Sequence, residues 1–98
     1  MTRKFFYTRL RRNGMIAAVR VKGYSDGVFN YYRNQFSQWH AVHPTTGLSA
    51  AMAHTRRECQ NKAFDNLERI EEFMHKHGDH EIKAFSELEK IGEPDFEI

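Results

Sequence analysis

Phe5, Tyr7, Arg9 and Arg11 stand at every second position of "KFFYTRLRRNGMIAAVRVK" (residues 4–22), and Arg20 and Lys22 repeat that spacing on its far side. Residues two apart on a strand share a face, so this spacing gathers rings and cations on one surface. The chemistry such a surface performs is the capture of a polyanion. Guanidinium and ammonium groups neutralise phosphates, and planar rings stack on bases. Arg56 and Arg57 add two cations in the first turn of a predicted helix. The macrodipole disfavours cations there, while exposed backbone donors and basic side chains point at any phosphate that arrives. The plainer readings are that another element covers the basic face, that Arg and Lys stems merely shield the rings from water, and that Arg56 and Arg57 are ordinary solvated residues.

The element that must position these residues is a hairpin. Asn13-Gly14 is a two-residue turn signal, because both residues tolerate the positive φ of a type I′ turn. Closing there sets Arg12 opposite Met15, Leu10 opposite Ala17, Thr8 opposite Val19 and Phe6 opposite Val21. One face is then Phe6, Thr8, Leu10, Met15, Ala17, Val19 and Val21, an apolar face suited to a core. The other holds the rings and cations. "GYSDG" (23–27) is a second turn cluster. The aromatic content of 28–33 favours a strand, although apolar positions 28, 31, 32, 36 and 39 also suit a helix capped by Ser25 or Asp26. Residues 37–54 read as another hairpin turning at Pro44–Gly47, with Trp39, Ala41 and His43 sharing a face with Leu48, Ala50 and Met52. The small residues at 50, 51 and 53 predict a helix packed closely over it.

Thr55 opens that helix, since "TRRE" is a capping box. Cys59, Ala63, Phe64, Leu67, Ile70, Phe73 and Met74 form its apolar stripe, and Gly78 is a natural stop. Asp79 is placed to cap a second, shorter helix to about Ile91. The expected fold is α+β, within a single domain spanning 1–98. A basic antiparallel sheet of four to five strands (3–54) precedes a long amphipathic helix (55–77), a short acidic helix (79–91) and an extended tail (92–98). The long helix is expected to cover the face holding Phe6, Leu10, Val19, Val21, Trp39 and Met52.

The net charge of +2 conceals a division. Residues 1–62 carry eleven Lys or Arg against Asp26 and Glu58, a net +9, and residues 63–98 carry four against eleven acids, a net −7. Such asymmetry between halves points to a charged partner. The 98 residues are enough for a modest core, burying about 65% of the unfolded surface. The single cysteine, Cys59, excludes an internal disulfide and fits a cytoplasmic setting. No apolar run is long enough for a membrane span or a signal peptide.

Catalytic signatures are absent: there is no nucleophile elbow, phosphate-binding loop or dinucleotide fingerprint. Cys59 reads as a core residue. Nor is a cofactor or metal expected. His75 and His77 would lie about 200° apart on a helix, His40 and His43 fall on opposite faces of a strand, and no Cys/His spacing matches a zinc site. The chain therefore reads as a non-enzymatic binding protein whose partner is nucleic acid or a nucleoprotein, held through Phe5, Tyr7, Arg9, Arg11, Arg20, Lys22, Arg56 and Arg57. The alternative places the contact on the acidic half, with Glu68, Glu71 and Glu72 docking on the basic groove of a host nucleic-acid enzyme. Inhibitors from phages and mobile elements, such as anti-CRISPR proteins, often act in this way. The chain is similar to them in size and in lacking motifs, a likeness that attaches to no particular residues.

Overall fold

Residues 1–92 are described in the computed structural model of the chain. In chain order the elements are β1 (Thr2–Arg12), β2 (Met15–Ser25), β3 (Asn30–Arg33), β4 (Trp39–Val42), β5 (Ser49–Ala53), α1 (Arg56–Asp65), α2 (Leu67–Ser86) and β6 (Lys90–Ile91). The first five strands form an antiparallel sheet in sequential order, and β6 pairs with β2. The α+β class holds: an antiparallel sheet followed by two helices.

Asn13 and Gly14 take φ of 52° and 79°, and the turn they make sets the expected register, with Arg12 opposite Met15 and Phe6 opposite Val21. β2 meets β3 only at Tyr24 and Ser25, so most of the hairpin extends past β3 as an arm. At Gly23 the strands run so close that a Cβ would overlap the Tyr31 carbonyl oxygen, and only glycine fits. The arm is tied down elsewhere. β6 pairs in parallel with Ala18 and Val19, and the Arg9 N–H donates to the Gly47 carbonyl at 3.2 Å.

Neighbouring residues of β3 face opposite ways, and each face builds its own cluster. Phe29, Tyr31 and Ala41 pack with Ala53, Cys59 and Ala63 beneath α1, with Trp39, Leu67 and Ile70 around them. On the other face Phe6, Tyr32 and Val42 form a smaller cluster with Val21, Phe6 meeting Tyr32 edge-on at 6.2 Å. The small residues of β5 do lie under a helix, as their sizes predict.

The helix does not cover the expected face. Phe6 and Val21 belong to the other cluster, and Met52 is 46% exposed. Val21 and Phe6 lie there because Tyr24 pairs with Tyr31, which puts Val21 and its partner Phe6 out of phase with the helix side; for Met52 the reason is a β-bulge. Val42 pairs with Ser49, but Ala41 pairs with Ala51, leaving Ala50 as an extra residue. A one-residue slip exchanges the faces of every later side chain. Trp39 and Ala41 therefore share a face with Ala51 and Ala53 rather than with Ala50 and Met52.

The helix boundaries also differ from those read in the sequence. The first helix ends at Asp65, and the long one runs through Gly78 to Ser86. The apolar stripe continues across the break, so periodicity is blind to it. The break falls at Asn66, whose side chain makes no capping bond, while its N–H still donates to the Lys62 carbonyl and its carbonyl accepts from the Ile70 N–H. Gly78 lies buried inside the helix, with the Met74 side chain against the place a Cβ would occupy. No second helix starts at Asp79, and β6 takes residues expected to end it. The tail expected at 92–98 lies, apart from Gly92, outside the described residues.

Candidate functional site

A groove of about 640 Å³ opens between the hairpin arm and the β3–β4 loop. Its lining brings together five cations, Arg11, Arg12, Arg20, Lys22 and Arg33, with no carboxylate among the described residues that line it. Tyr32 and His40 lie at its floor, the two rings stacked at 5.1 Å and 13°. Phe36 stands at the rim, 73% exposed.

The loop that carries Phe36 is built around Asn34. Its Oδ1 accepts from the Phe36 N–H at 2.8 Å and the Gln38 N–H at 3.0 Å. Its backbone N–H donates to the Gln38 carbonyl and its carbonyl accepts from the Ser37 N–H. Ser37 completes the reversal in the left-handed region, at φ 61°. Because Oδ1 is occupied as an acceptor, Asn34 Nδ2 donates to His40 Nε2 at 2.9 Å. That bond requires a neutral imidazole with its lone pair on Nε2, and burial lowers the His40 pKa in the same direction.

The sequence-predicted basic face lies on the helix side of the sheet, since Tyr24 pairs with Tyr31 above α1 and Lys22 and Arg20 alternate from it. Its members have separate fates. Arg9 is used internally: its Nε donates to the Thr46 carbonyl at 2.7 Å, its Nη2 meets Glu81 Oε1 at 3.0 Å and the Glu81 carbonyl at 3.1 Å, and its guanidinium lies over Phe85. Tyr7 carries the Lys90 ammonium over its ring, and Arg20 lies over Phe5 at 4.5 Å. Arg11, Arg20 and Lys22 border the groove along its strand edge, with side chains that alternate to the face opposite Tyr32 and His40. Arg56 lies over Tyr24 at 5.0 Å, and with Arg57 it lines a separate open cleft shared with Asp26 and Gln60. Covering by a second element is thus realised at Arg9 and Tyr7, and shielding of a ring at Phe5.

Asp26 organises that second cleft. Burial pushes its carboxyl up, but hydrogen bonds from the Tyr31 hydroxyl, the Phe29 and Val28 N–H groups and Gln60 outweigh this, and its pKa is lowered. Burial first, then the Asp26 bond and charge, push the Tyr31 phenol far above its ordinary range. Cys59 is fully buried, and burial raises its thiol to about 11, so it stays protonated as a core residue.

Glu68, Glu71 and Glu72 are exposed on α2, and their spacing of three and four residues puts them on one face. Glu72 pairs with Lys76 at 3.6 Å. His75, His77 and His80 are also exposed on this helix. Among the described residues no three His, Cys, Asp or Glu side chains are grouped to hold a metal ion, and no helix is long and apolar enough to cross a membrane.

Sequence reasoning missed Arg12, Arg33 and Phe36. Arg12 falls on the apolar side of the hairpin alternation, opposite Met15, and so lies off the face read as basic. Arg33 and Phe36 flank Asn34 in "YYRNQFSQW", where interleaved basic and aromatic residues beside a turn-forming Asn were the available signal. No protein-family model, curated protein or solved structure matches the chain.

Proposed function

We propose that this chain is a non-enzymatic binding protein that holds the phosphate backbone of a nucleic acid, free or within a nucleoprotein, in the groove between its hairpin arm and its β3–β4 loop. The observation that carries the reading is the gathering of five cations with no described carboxylate in the lining. Like charges gathered on one surface repel one another, and a polyanion relieves that repulsion while releasing its own condensed ions. Arg12 and Arg33 are exposed and come from different parts of the chain, so folding assembles the patch. Arg9 acts inside the fold, holding the arm to α2.

A mobility-shift titration across salt tests the reading on wild type, an Arg12→Glu/Arg33→Glu variant and a Glu68→Lys/Glu72→Lys variant. The wild type is expected to shift nucleic acid at low salt, the arginine variant to lose the shift, and the glutamate variant to keep or strengthen it. A wild type that shifts neither DNA nor RNA, together with an effect on a nucleic-acid enzyme that the glutamate reversals abolish, would replace this reading with inhibition through the acidic helix.

A further inference from the structure

We infer that the groove is selective for single-stranded nucleic acid, with Phe36 as the platform on which an unpaired base stacks; the inference rests on the nucleic-acid reading above. Of the three rings lining the groove, Tyr32 is 5% exposed and occupied by His40, His40 is half-buried, and Phe36 is 73% exposed. An exposed Phe on a short loop is ordinarily free to fold back on the nearest apolar surface. Here Asn34 fixes where the Phe36 backbone stands. It clamps the backbone on both sides of residue 36 and is itself anchored through His40 to the groove floor. The ring stands exposed, and none of the ring contacts within the described residues involves it.

A platform fixed beside a line of cations is the arrangement single strands require. The cations follow the phosphates, and the ring takes the face of a base that has no neighbour stacked on it. A duplex presents the same phosphates, but its base faces are already stacked on one another, so Phe36 has nothing to meet except at an end. Stacking of this kind is tolerant of sequence because every base has a π-face. The arm tip offers the rival arrangement. Met15 is 72% and Ile16 48% exposed beside Arg11 and Arg12, which is the composition of an apolar wedge for a duplex groove. The two arrangements differ in their ligand and in the residue on which binding depends.

The test is fluorescence anisotropy at one low salt concentration with three labelled probes: a thymine-only DNA strand, a uracil-only RNA strand and a blunt DNA duplex of mixed sequence. Wild type is expected to bind one or both single strands more tightly than the duplex, and whichever strand binds identifies the sugar it accepts. Phe36→Ala is expected to weaken single-strand binding roughly 5- to 100-fold, the range of one lost base stack, and to leave duplex binding unchanged. Phe36→Trp should retain affinity and show quenching of its fluorescence by the bound strand, beyond any change in wild type, which carries Trp39. Tighter duplex binding, with Phe36→Ala silent and Met15→Ser damaging, would overturn this inference while leaving the nucleic-acid reading intact. Failure to bind any probe would overturn both.

Discussion

Replacing Arg9 with Leu is expected to destabilise the fold rather than weaken binding alone. The guanidinium joins three elements that are distant in sequence: its own strand β1, the β4–β5 loop at Thr46 and helix α2 at Glu81 and Phe85. The Thr46 bond is short, and Thr46 is fully buried, so its loss costs about 1–2 kcal/mol. The Glu81 pair is partly exposed, with side chains 18% and 22% accessible; screening holds its share to about 1 kcal/mol. The contact with Phe85 adds about 0.5–1 kcal/mol. Leucine keeps the apolar stem, so the polar terms dominate, and the sum is about 2–4 kcal/mol. For a domain of this size each kcal/mol moves the melting temperature by about 4–8 °C, giving a fall on the order of 10–30 °C. The assay is urea denaturation of Arg9→Leu, Glu81→Ala and the double variant. The cycle should return a coupling of about 1 kcal/mol between the two residues. A loss below about 0.5 kcal/mol for Arg9→Leu, or no coupling, would refute the assignment of Arg9 to the interior, where the quoted bond energies place its main effect.

Other substitutions probe the remaining supports. Thr55 Oγ1 accepts from the Glu58 N–H at 3.1 Å, so Thr55→Ala should cost about 1 kcal/mol, and an unchanged denaturation midpoint would show that this cap contributes nothing. Gly47 has φ +68° and a Cβ there would strike the Phe85 ring; Gly47→Ala should cost about 2–4 kcal/mol from left-handed strain and a displaced ring, against which a neutral melting curve would count. Burial lowers the pKa of both His40 and His43. Their neutral forms are favoured in the folded state, so their contribution to stability is complete above pH of about 6.5 and declines as pH falls below it towards their folded values. Urea midpoints should fall over that range in wild type and fall less in a His40→Gln/His43→Gln variant, and identical slopes would contradict the assignment.

The hairpin was legible because its information is local. Asn13-Gly14 fixes the turn, and alternation from Phe6 to Val21 fixes the register. Thr55 and the small residues of β5 were legible for the same reason: a cap and a close helix leave marks on adjacent residues. The bulge at Ala50 was not, because one extra residue among Ala50, Ala51 and Ala53 alters no pattern that composition records, yet it decides which β5 side chains face the helix. The break at Asn66 was hidden by an apolar stripe that runs through it, and Gly78 misled because a buried glycine inside a helix resembles a stop. β6 is two residues long and pairs with β2 from the far end of the chain, beyond what strand periodicity detects. The candidate site was half legible. Arg11, Arg20 and Lys22 were found by alternation, whereas Arg33 and Phe36 reach the groove only because the sheet brings the β3–β4 loop beside the arm.

The central claim, that the five grouped cations meet phosphates, is tested most directly by the salt dependence of binding. On a single strand the logarithm of the affinity falls against the logarithm of salt concentration with a slope of about −0.7 for each phosphate neutralised. Five lining cations set the expected slope near −3.5 when all are engaged, with the −0.7 increment applied to each. Arg12→Gln/Arg33→Gln removes two of them and should bring the slope to about −2. A wild-type affinity that does not change with salt, or a slope that the double substitution leaves unaltered, would contradict the account.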